Sequence, residues 1–121
     1  MARVLVVEDS PTELFKLTAI LEKNGYKVLK ADNGKQGVAM AREVLPDAIL
    51  MDVVMPGLNG YQATRKLTKG ETTRHIPVIM VTTKGLKTDV LWGKRQGAAG
   101  YLTKPVDEKL LIQTLKDLLI N

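Results

Sequence analysis

Four short apolar runs are each followed, at once or within two residues, by side chains that could take part in chemistry. The pairs are run 4–7 with Glu8 and Asp9, run 48–51 with Asp52, run 78–81 with Thr82 and Thr83, and run 100–102 with Lys104. If these runs are parallel strands of one sheet, their carboxyl ends meet at one edge. Three carboxylates, hydroxyl groups and one ammonium group would then lie close together.

Such an acidic cluster requires a bound proton or cation. Two carboxylates about 5 Å apart repel each other by roughly 3 kcal/mol at an effective dielectric constant near 20. The acids Glu8, Asp9 and Asp52 outnumber the single base Lys104. Carboxylate oxygens without histidine or thiol suit Mg²⁺, which keeps several waters in its coordination shell. A bound Mg²⁺ would neutralise the cluster and would let Asp52 carry the added charge of an acyl phosphate.

The elements that must position these groups can be read from the hydrophobic pattern. Short apolar runs at 4–7, 27–29, 48–51, 78–81 and 100–102 predict five strands. Three of them, 4–7, 48–51 and 78–81, are continuously apolar, which is typical of strands buried on both faces.

Helix signals separate these strands. The run Ser10-Pro11-Thr12-Glu13 predicts a capping box with proline at the first helical position, and Asn24-Gly25 ends that helix. Further helices are predicted near 35–44, 61–68, 88–96 and 108–119, the last with Asp107 as its N-cap. Five repeats of strand and helix favour an α/β fold, a doubly wound parallel sheet covered by helices on both faces.

Size and composition restrict the class of protein. The 121 residues are enough for one domain, and the absence of cysteine excludes disulfides and thiolate metal sites. The first apolar stretch is too short for a signal peptide or a membrane span, so we expect a soluble cytoplasmic protein. The net charge of +5 raises the question of nucleic acid, but the sequence has no helix-turn-helix, zinc-finger or RNA-binding motif. We therefore expect no DNA-binding domain and no membrane association.

Taken together, the motifs resemble the CheY-like receiver domains of two-component response regulators. The resemblance is carried by 6–12 (VVEDSPT), 50–57 (LMDVVMPG), 81–83 (VTT) and 101–105 (YLTKP), and it covers essentially the whole chain. It implies a flavodoxin-like (βα)5 sandwich with sheet order 2-1-3-4-5. It also implies a single receiver domain over 1–121 without an output domain, which is a signalling module and not a stand-alone enzyme.

The resemblance assigns roles to the acidic residues. Asp52 would accept a phosphoryl group from a histidine kinase or a histidine phosphotransfer domain in a reaction that requires Mg²⁺. Asp9 and Asp52 would be direct metal ligands, Glu8 would act through water, and Val54 would contribute its backbone carbonyl. Glu8 stands where aspartate is commoner in the family, and the apolar Val54 leaves the lifetime of the phosphorylated state open.

The resemblance also assigns roles to residues of the last two strands. Thr82 would hydrogen-bond the phosphoryl group, and Lys104 would pair with it, ahead of a cis peptide bond to Pro105. Tyr101 would be the switch aromatic that turns inward when Thr82 moves, and this movement would change the surface of the fourth helix, fifth strand and fifth helix.

Further segments resemble a stand-alone regulator of the chemotaxis-like system that controls type IV pili and twitching motility. They are 10–13, 57–65, 75–79, 81–84 and 92–98, whereas 84–88 departs from that pattern by its more basic and apolar composition. The implied donor is a CheA-like kinase. We expect a monomer that acts on a pilus motor component or another protein effector, or that drains phosphate from the shared kinase.

Three other functions compete with this interpretation. An aspartate-based phosphatase of the haloacid-dehalogenase type needs a second carboxylate two residues after Asp52, where this chain has Val54. A flavodoxin-like FMN-binding protein needs a hydroxyl- and glycine-rich loop after the first strand, where Glu8 and Asp9 would repel the phosphate. A docking module that no longer takes phosphate is disfavoured by the intact acidic residues.

Overall fold

The structure, a computed structural model, describes residues 2–119. Five strands alternate with five helices: β1 (Arg3–Val7), α1 (Pro11–Lys23), β2 (Lys27–Ala31), α2 (Gly34–Val44), β3 (Ala48–Met51), α3 (Gly60–Lys69), β4 (Val78–Thr82), α4 (Lys87–Arg95), β5 (Gly100–Thr103) and α5 (Glu108–Leu118). None of the helices within 2–119 is sufficiently long and apolar to cross a membrane.

The five strands form one parallel sheet in the order β2-β1-β3-β4-β5, which confirms the predicted fold. The three continuously apolar runs are its central strands: β3 and β4 are buried throughout, and β1 is buried from Val4 onwards. The edge strands β2 and β5 are only partly buried. The unbroken apolar runs thus mark strands that have helices above and below them.

Each face of the sheet has its own hydrophobic core. Leu17 and Leu21 of α1 pack with Leu111 and Leu115 of α5 on one face. On the other face the core includes residues of α2 and α3, and α4 comes close to the sheet where Gly93 lies against Met80 and Tyr101. The molecule is therefore a three-layer sandwich with α1 and α5 on one side and α2, α3 and α4 on the other.

The predicted capping box at the start of α1 is only half formed. The backbone N–H of Glu13 donates to the Ser10 hydroxyl, at 3.4 Å, as a capping box requires. The return bond is missing, because the N–H of Ser10 donates to Oε2 of Glu8 at 3.1 Å. The Glu13 carboxylate therefore does not bond the N–H of Ser10, and instead it lies 3.7 Å from Nζ of Lys104.

The complete capping box belongs to α3 instead. The side chain of Asn59 accepts from the N–H of Gln62, and the Gln62 side chain accepts from the N–H of Asn59, both at 2.9 Å. Neither this pair nor the role of Asn33 as the N-cap of α2 was predicted from the sequence. Both helices consequently begin one residue earlier than predicted, at a glycine.

The start of α3 lies directly against the end of β3. A Cβ on Gly60 would come within 2.0 Å of the carbonyl oxygen of Asp52 and 2.7 Å of Cα of Val53. The N–H of Gly60 also donates to the Val53 carbonyl at 2.9 Å. Only glycine fits here, so the position of α3 is coupled to the backbone that carries Asp52.

Gly60→Ala tests this close approach. We expect it to lower the free energy of unfolding by at least about 2 kcal/mol, because the obstructing atoms are backbone and cannot rotate away. Gly25→Ala is the matched control: Gly25 has a φ of +87° but open space around it, so we expect a loss of about 1 kcal/mol from backbone strain alone. Urea denaturation measures both, and equal losses would contradict the packing argument.

Candidate functional site

The carboxyl edge of the sheet brings the three predicted acids together. Parallel pairing places Val7 beside Met51, and the N–H of Asp52 donates to the Val7 carbonyl at 3.1 Å. Each of Glu8, Asp9 and Asp52 offers a carboxylate oxygen, and these oxygens lie within 4.8 Å of one another. Glu8 and Asp52 are buried and Asp9 is exposed, so the cluster is open to solvent on one side.

A single ammonium group lies among these acids. Nζ of Lys104 lies 2.5 Å from Oε1 of Glu8 and 3.4 Å from Oδ2 of Asp52, with the side chain of Lys104 only 9% exposed. Glu13 of α1 is a third carboxylate near the same nitrogen. The arrangement joins β1, β3 and the end of β5, and Lys104 is 96 residues from Glu8 in the chain.

The surroundings shift the pKa of both members of the closest pair. Burial raises the pKa of the Glu8 carboxyl, and its hydrogen bonds from Lys104 and from the N–H of Ser10 only partly oppose this. Burial alone would lower the pKa of Lys104, but its hydrogen bond to Glu8 and the charge of Asp52 outweigh burial and raise it. The Lys104 ammonium group is therefore held charged, and the Glu8 carboxyl group depends on that charge to remain ionised.

The carboxylate of Asp52 is held at both oxygens. Oδ1 accepts a hydrogen bond from the N–H of Val54 at 3.3 Å, and Oδ2 faces Lys104. Val54 is 54% exposed, and its side chain offers no group that could accept or donate a proton. Asp52 is thus an oriented carboxylate beside a cation, with no second acid two residues further along the chain.

Thr82 is the hydroxyl that β4 delivers to this edge. It is fully buried, whereas the neighbouring Thr83 is exposed. Its carbonyl accepts from the N–H of Lys104 at 2.8 Å, which fixes the two residues side by side. Its Oγ1 accepts from the N–H of Lys84 at 3.3 Å, so the hydroxyl proton remains available to an anion.

Tyr101 lies further out on β5, partly buried beneath α4. Its hydroxyl donates to the backbone carbonyl of Lys84 at 2.6 Å. Burial raises its pKa well above the usual value for tyrosine, helped by the neighbouring Tyr61 hydroxyl. The peptide bond between Lys104 and Pro105 is cis.

Glu13 and Tyr61 make contacts near the site that were not predicted from the sequence. Glu13 was interpreted only as part of a capping box, and its contact with Lys104 depends on Glu8 taking the N–H of Ser10. Tyr61 donates from its hydroxyl to the Asp89 carbonyl at 3.1 Å and lies 3.5 Å from the Tyr101 hydroxyl. No local pattern could have indicated that contact, because its partners are 28 and 40 residues away.

Comparison with known proteins identifies the family of this chain. The response regulator receiver domain family matches residues 4–116. This chain belongs to the family of response regulator receiver domains. Receiver domains are signalling modules of two-component systems, and the buried acids of this receiver domain lie at the carboxyl edge of its sheet.

Individual relatives agree with this assignment. The receiver domain is 65% identical to the protein PilH of Pseudomonas aeruginosa over 98% of both chains. It resembles the solved structure of the chemotaxis protein CheY4 of Vibrio cholerae, with a TM-score of 0.91, 32% identity and coverage of 98% and 99% of the two chains.

A further solved structure is relevant to the acidic cluster. The receiver domain of the sensor histidine kinase PA1611 from Pseudomonas aeruginosa has a magnesium ion coordinated in its active site cleft. The two proteins are 35% identical, with a TM-score of 0.91 and coverage of 98% and 97%.

Lys104→Met tests the dependence of Glu8 on its cation. Without Lys104 the buried carboxylate has no counter-charge, and breaking such a pair costs about 3–5 kcal/mol. A carboxyl group whose pKa is raised in the folded state contributes stability below its unfolded pKa and loses it as the pH rises through its folded pKa. We therefore expect the variant's deficit relative to wild type to be larger at pH 8 than at pH 5.

Urea denaturation in EDTA at the two pH values measures this deficit. Lys16→Met is the matched control, because Lys16 is exposed and lies 3.5 Å from Glu13 on the surface of α1. A deficit for Lys104→Met that is the same at both pH values would show that Glu8 does not depend on this ammonium group.

Proposed function

We propose that this chain is a phosphorylation-switched regulator that accepts a phosphoryl group on Asp52 from a histidine kinase or a histidine phosphotransfer domain. The observation that carries the proposal is the environment of the Asp52 carboxylate. One of its oxygens faces Lys104, the other is held by a backbone N–H, and both lie beside the acids Glu8 and Asp9. A buried nucleophile flanked by a cation and by metal-type ligands suits phosphoryl transfer.

The donor set at this edge fits Mg²⁺. Three carboxylates within reach of one another, with no histidine or cysteine among them, are hard oxygen ligands. Asp9 and Asp52 would hold the ion directly. Glu8 would act through water because one of its oxygens is committed to Lys104, and Val54 would add its backbone carbonyl. Bound Mg²⁺ would supply charge neutralisation for the transferred group and for the acids around it.

In the proposed reaction an oxygen of Asp52 forms a bond to phosphorus, and the bond between phosphorus and the donor histidine nitrogen breaks. That nitrogen keeps the electron pair. Lys104 lies 3.4 Å from Asp52 and would balance charge on the phosphoryl oxygens, which the buried hydroxyl of Thr82 would also bind. Hydrolysis of the acyl phosphate would later return Asp52 to a carboxylate. The chain would thus be a signalling module and not a turnover enzyme.

The proposed system is the chemotaxis-like pathway of type IV pili and twitching motility, with a CheA-like kinase as donor. The segments that resemble such a regulator support this, together with the 65% identity to PilH. The receiver domain, acting as a cytoplasmic monomer, would bind a pilus motor component or another effector through α4, β5 and α5. Alternatively it would drain phosphate from the kinase.

Beryllofluoride, a phosphoryl analogue, tests the acceptor. With Mg²⁺ it should bind the wild type, and Asp52→Asn should abolish this binding because the amide cannot form the beryllium–oxygen bond. Calorimetry measures the affinity, and the fluorescence of Trp92, the only tryptophan, reports on α4. Asp117→Asn on α5 is the matched control and should bind as the wild type does. Binding to Asp52→Asn would contradict the proposal.

Magnesium affinity tests the metal ligands separately. Asp9 is exposed, so Asp9→Ala should leave the fold intact while weakening Mg²⁺ binding by at least about tenfold, since one of two direct ligands is lost. Calorimetric titration with MgCl₂ measures this, with Asp117→Ala as control. Equal affinities of Asp9→Ala and wild type would exclude Asp9 as a ligand.

Phosphotransfer identifies the donor. Purified histidine kinases, including CheA-like kinases with histidine phosphotransfer modules, would be loaded with radiolabelled phosphate and mixed with this chain. We expect transfer within seconds from a CheA-like donor and none to Asp52→Asn. A preference for a kinase of another class would contradict the proposed pathway and leave the proposed chemistry intact.

A further inference from the structure

The segment 84–89, which joins β4 to the first turn of α4, accepts a hydrogen bond at each end from a tyrosine hydroxyl of another element. We call it the switch segment. At one end, Tyr101 of β5 donates to the Lys84 carbonyl at 2.6 Å. At the other end, Tyr61 of α3 donates to the Asp89 carbonyl at 3.1 Å. The two hydroxyl oxygens are 3.5 Å apart, so one contact network fixes both ends.

The switch segment is also held together by contacts among its own residues. Asp89 accepts from the N–H of Leu86 at 3.1 Å and lies 3.9 Å from Nζ of Lys84. The segment is attached to the candidate site through the N–H of Lys84, which donates to the Thr82 hydroxyl. A displacement of Thr82 would therefore pull on the Lys84 end, while the Asp89 end is held by Tyr61.

The hydroxyl of Tyr61 can be removed without removing its ring. The ring packs against the core beneath α2 and α3, so phenylalanine would keep that packing. The hydroxyl itself is a neutral donor to a backbone carbonyl, which is worth about two- to tenfold in an equilibrium constant. Burial raises the pKa of the neighbouring Tyr101 hydroxyl, so Tyr101 remains a hydrogen-bond donor near neutral pH.

Tyr101 and α4 are also in direct contact. A Cβ on Gly93 would come within 2.9 Å of two carbons of the Tyr101 ring, so the backbone of α4 passes close to that ring. A rotation of Tyr101 therefore requires α4 to move, and the bond from Tyr61 to Asp89 opposes movement of the first turn of α4.

We infer that Tyr61 is a positioning residue that holds the switch segment in the arrangement described above and so sets how readily phosphorylation at Asp52 can change α4. The inference rests on the proposed function. Tyr61 touches neither Asp52 nor a candidate metal ligand through its hydroxyl; it acts through Asp89 and Tyr101. Loss of the hydroxyl removes the bond to the Asp89 carbonyl that opposes movement of α4, so a changed arrangement of α4 becomes easier to reach.

Tyr61→Phe is the test. With Mg²⁺ in excess, we expect beryllofluoride to bind Tyr61→Phe about two- to tenfold more tightly than wild type by calorimetry, with the Trp92 fluorescence change complete at a lower concentration. Mg²⁺ affinity in the absence of beryllofluoride should be unchanged, which a general disturbance of the site would not allow. Tyr26→Phe is the matched control, since Tyr26 packs on the opposite face of the sheet.

A double variant tests whether the two hydroxyls act together. If they form one unit, the effect of Tyr61→Phe on beryllofluoride affinity should be smaller in a Tyr101→Phe background than in wild type. Unchanged or weaker binding by Tyr61→Phe, or an equal effect in both backgrounds, would overturn the inference. Failure of beryllofluoride to bind wild type would instead overturn the proposed function, and the inference with it.

Discussion

The ion pair between Lys104 and the acids of β1 and β3 is the interaction on which the site depends. Burying Glu8 and Asp52 side by side is unfavourable, because each carboxylate loses water and repels the other. Lys104 offsets this cost with one ammonium group that lies within 3.4 Å of both. It does not neutralise the cluster, since Asp9 also lies there. The remaining negative charge is what suits the edge to a divalent cation.

The parallel sheet is what makes this arrangement available. Its central strands β1, β3 and β4 contain the apolar runs 4–7, 48–51 and 78–81, which pack against helices on both faces behind the site. The polar groups of the site follow these apolar runs where the strands end, and parallel strands end at the same edge. The glycine at the start of α3 completes the geometry, because any side chain at Gly60 would collide with the carbonyl of Asp52.

A path of contacts leads from this edge to the surface of α4. Thr82 contacts Lys84 through a backbone N–H, Lys84 contacts Tyr101 through its carbonyl, and Tyr101 lies beneath α4. On the outer side of α4, Leu91 and Trp92 are exposed large apolar side chains. A change at the site therefore has a short physical route to a surface with apolar groups available for a partner.

The order of the elements and the clustering of Glu8, Asp9, Asp52 and Lys104 at one edge could be predicted from the sequence, because both depend on local patterns. Continuous apolar runs indicate buried strands, and the polar residues that end them must share an edge once the strands are parallel. The positions and caps of the helix starts were predicted less accurately. The α1 capping box was only half right, since Glu8 accepts the N–H that the box needs, and the box of Asn59 and Gln62 was missed.

Tertiary structure alone decided which groups pair. Glu13 reaches Lys104, and Tyr61 reaches Asp89 and Tyr101, across 28 to 91 residues of chain. A hydroxyl or carboxylate finds such partners only when helices and strands have packed, because the distance between them depends on side-chain volumes in both cores. The sequence by itself determined the strands, the edge and the acids; packing determined that Lys104 is shared among three carboxylates and that two tyrosines hold the start of α4.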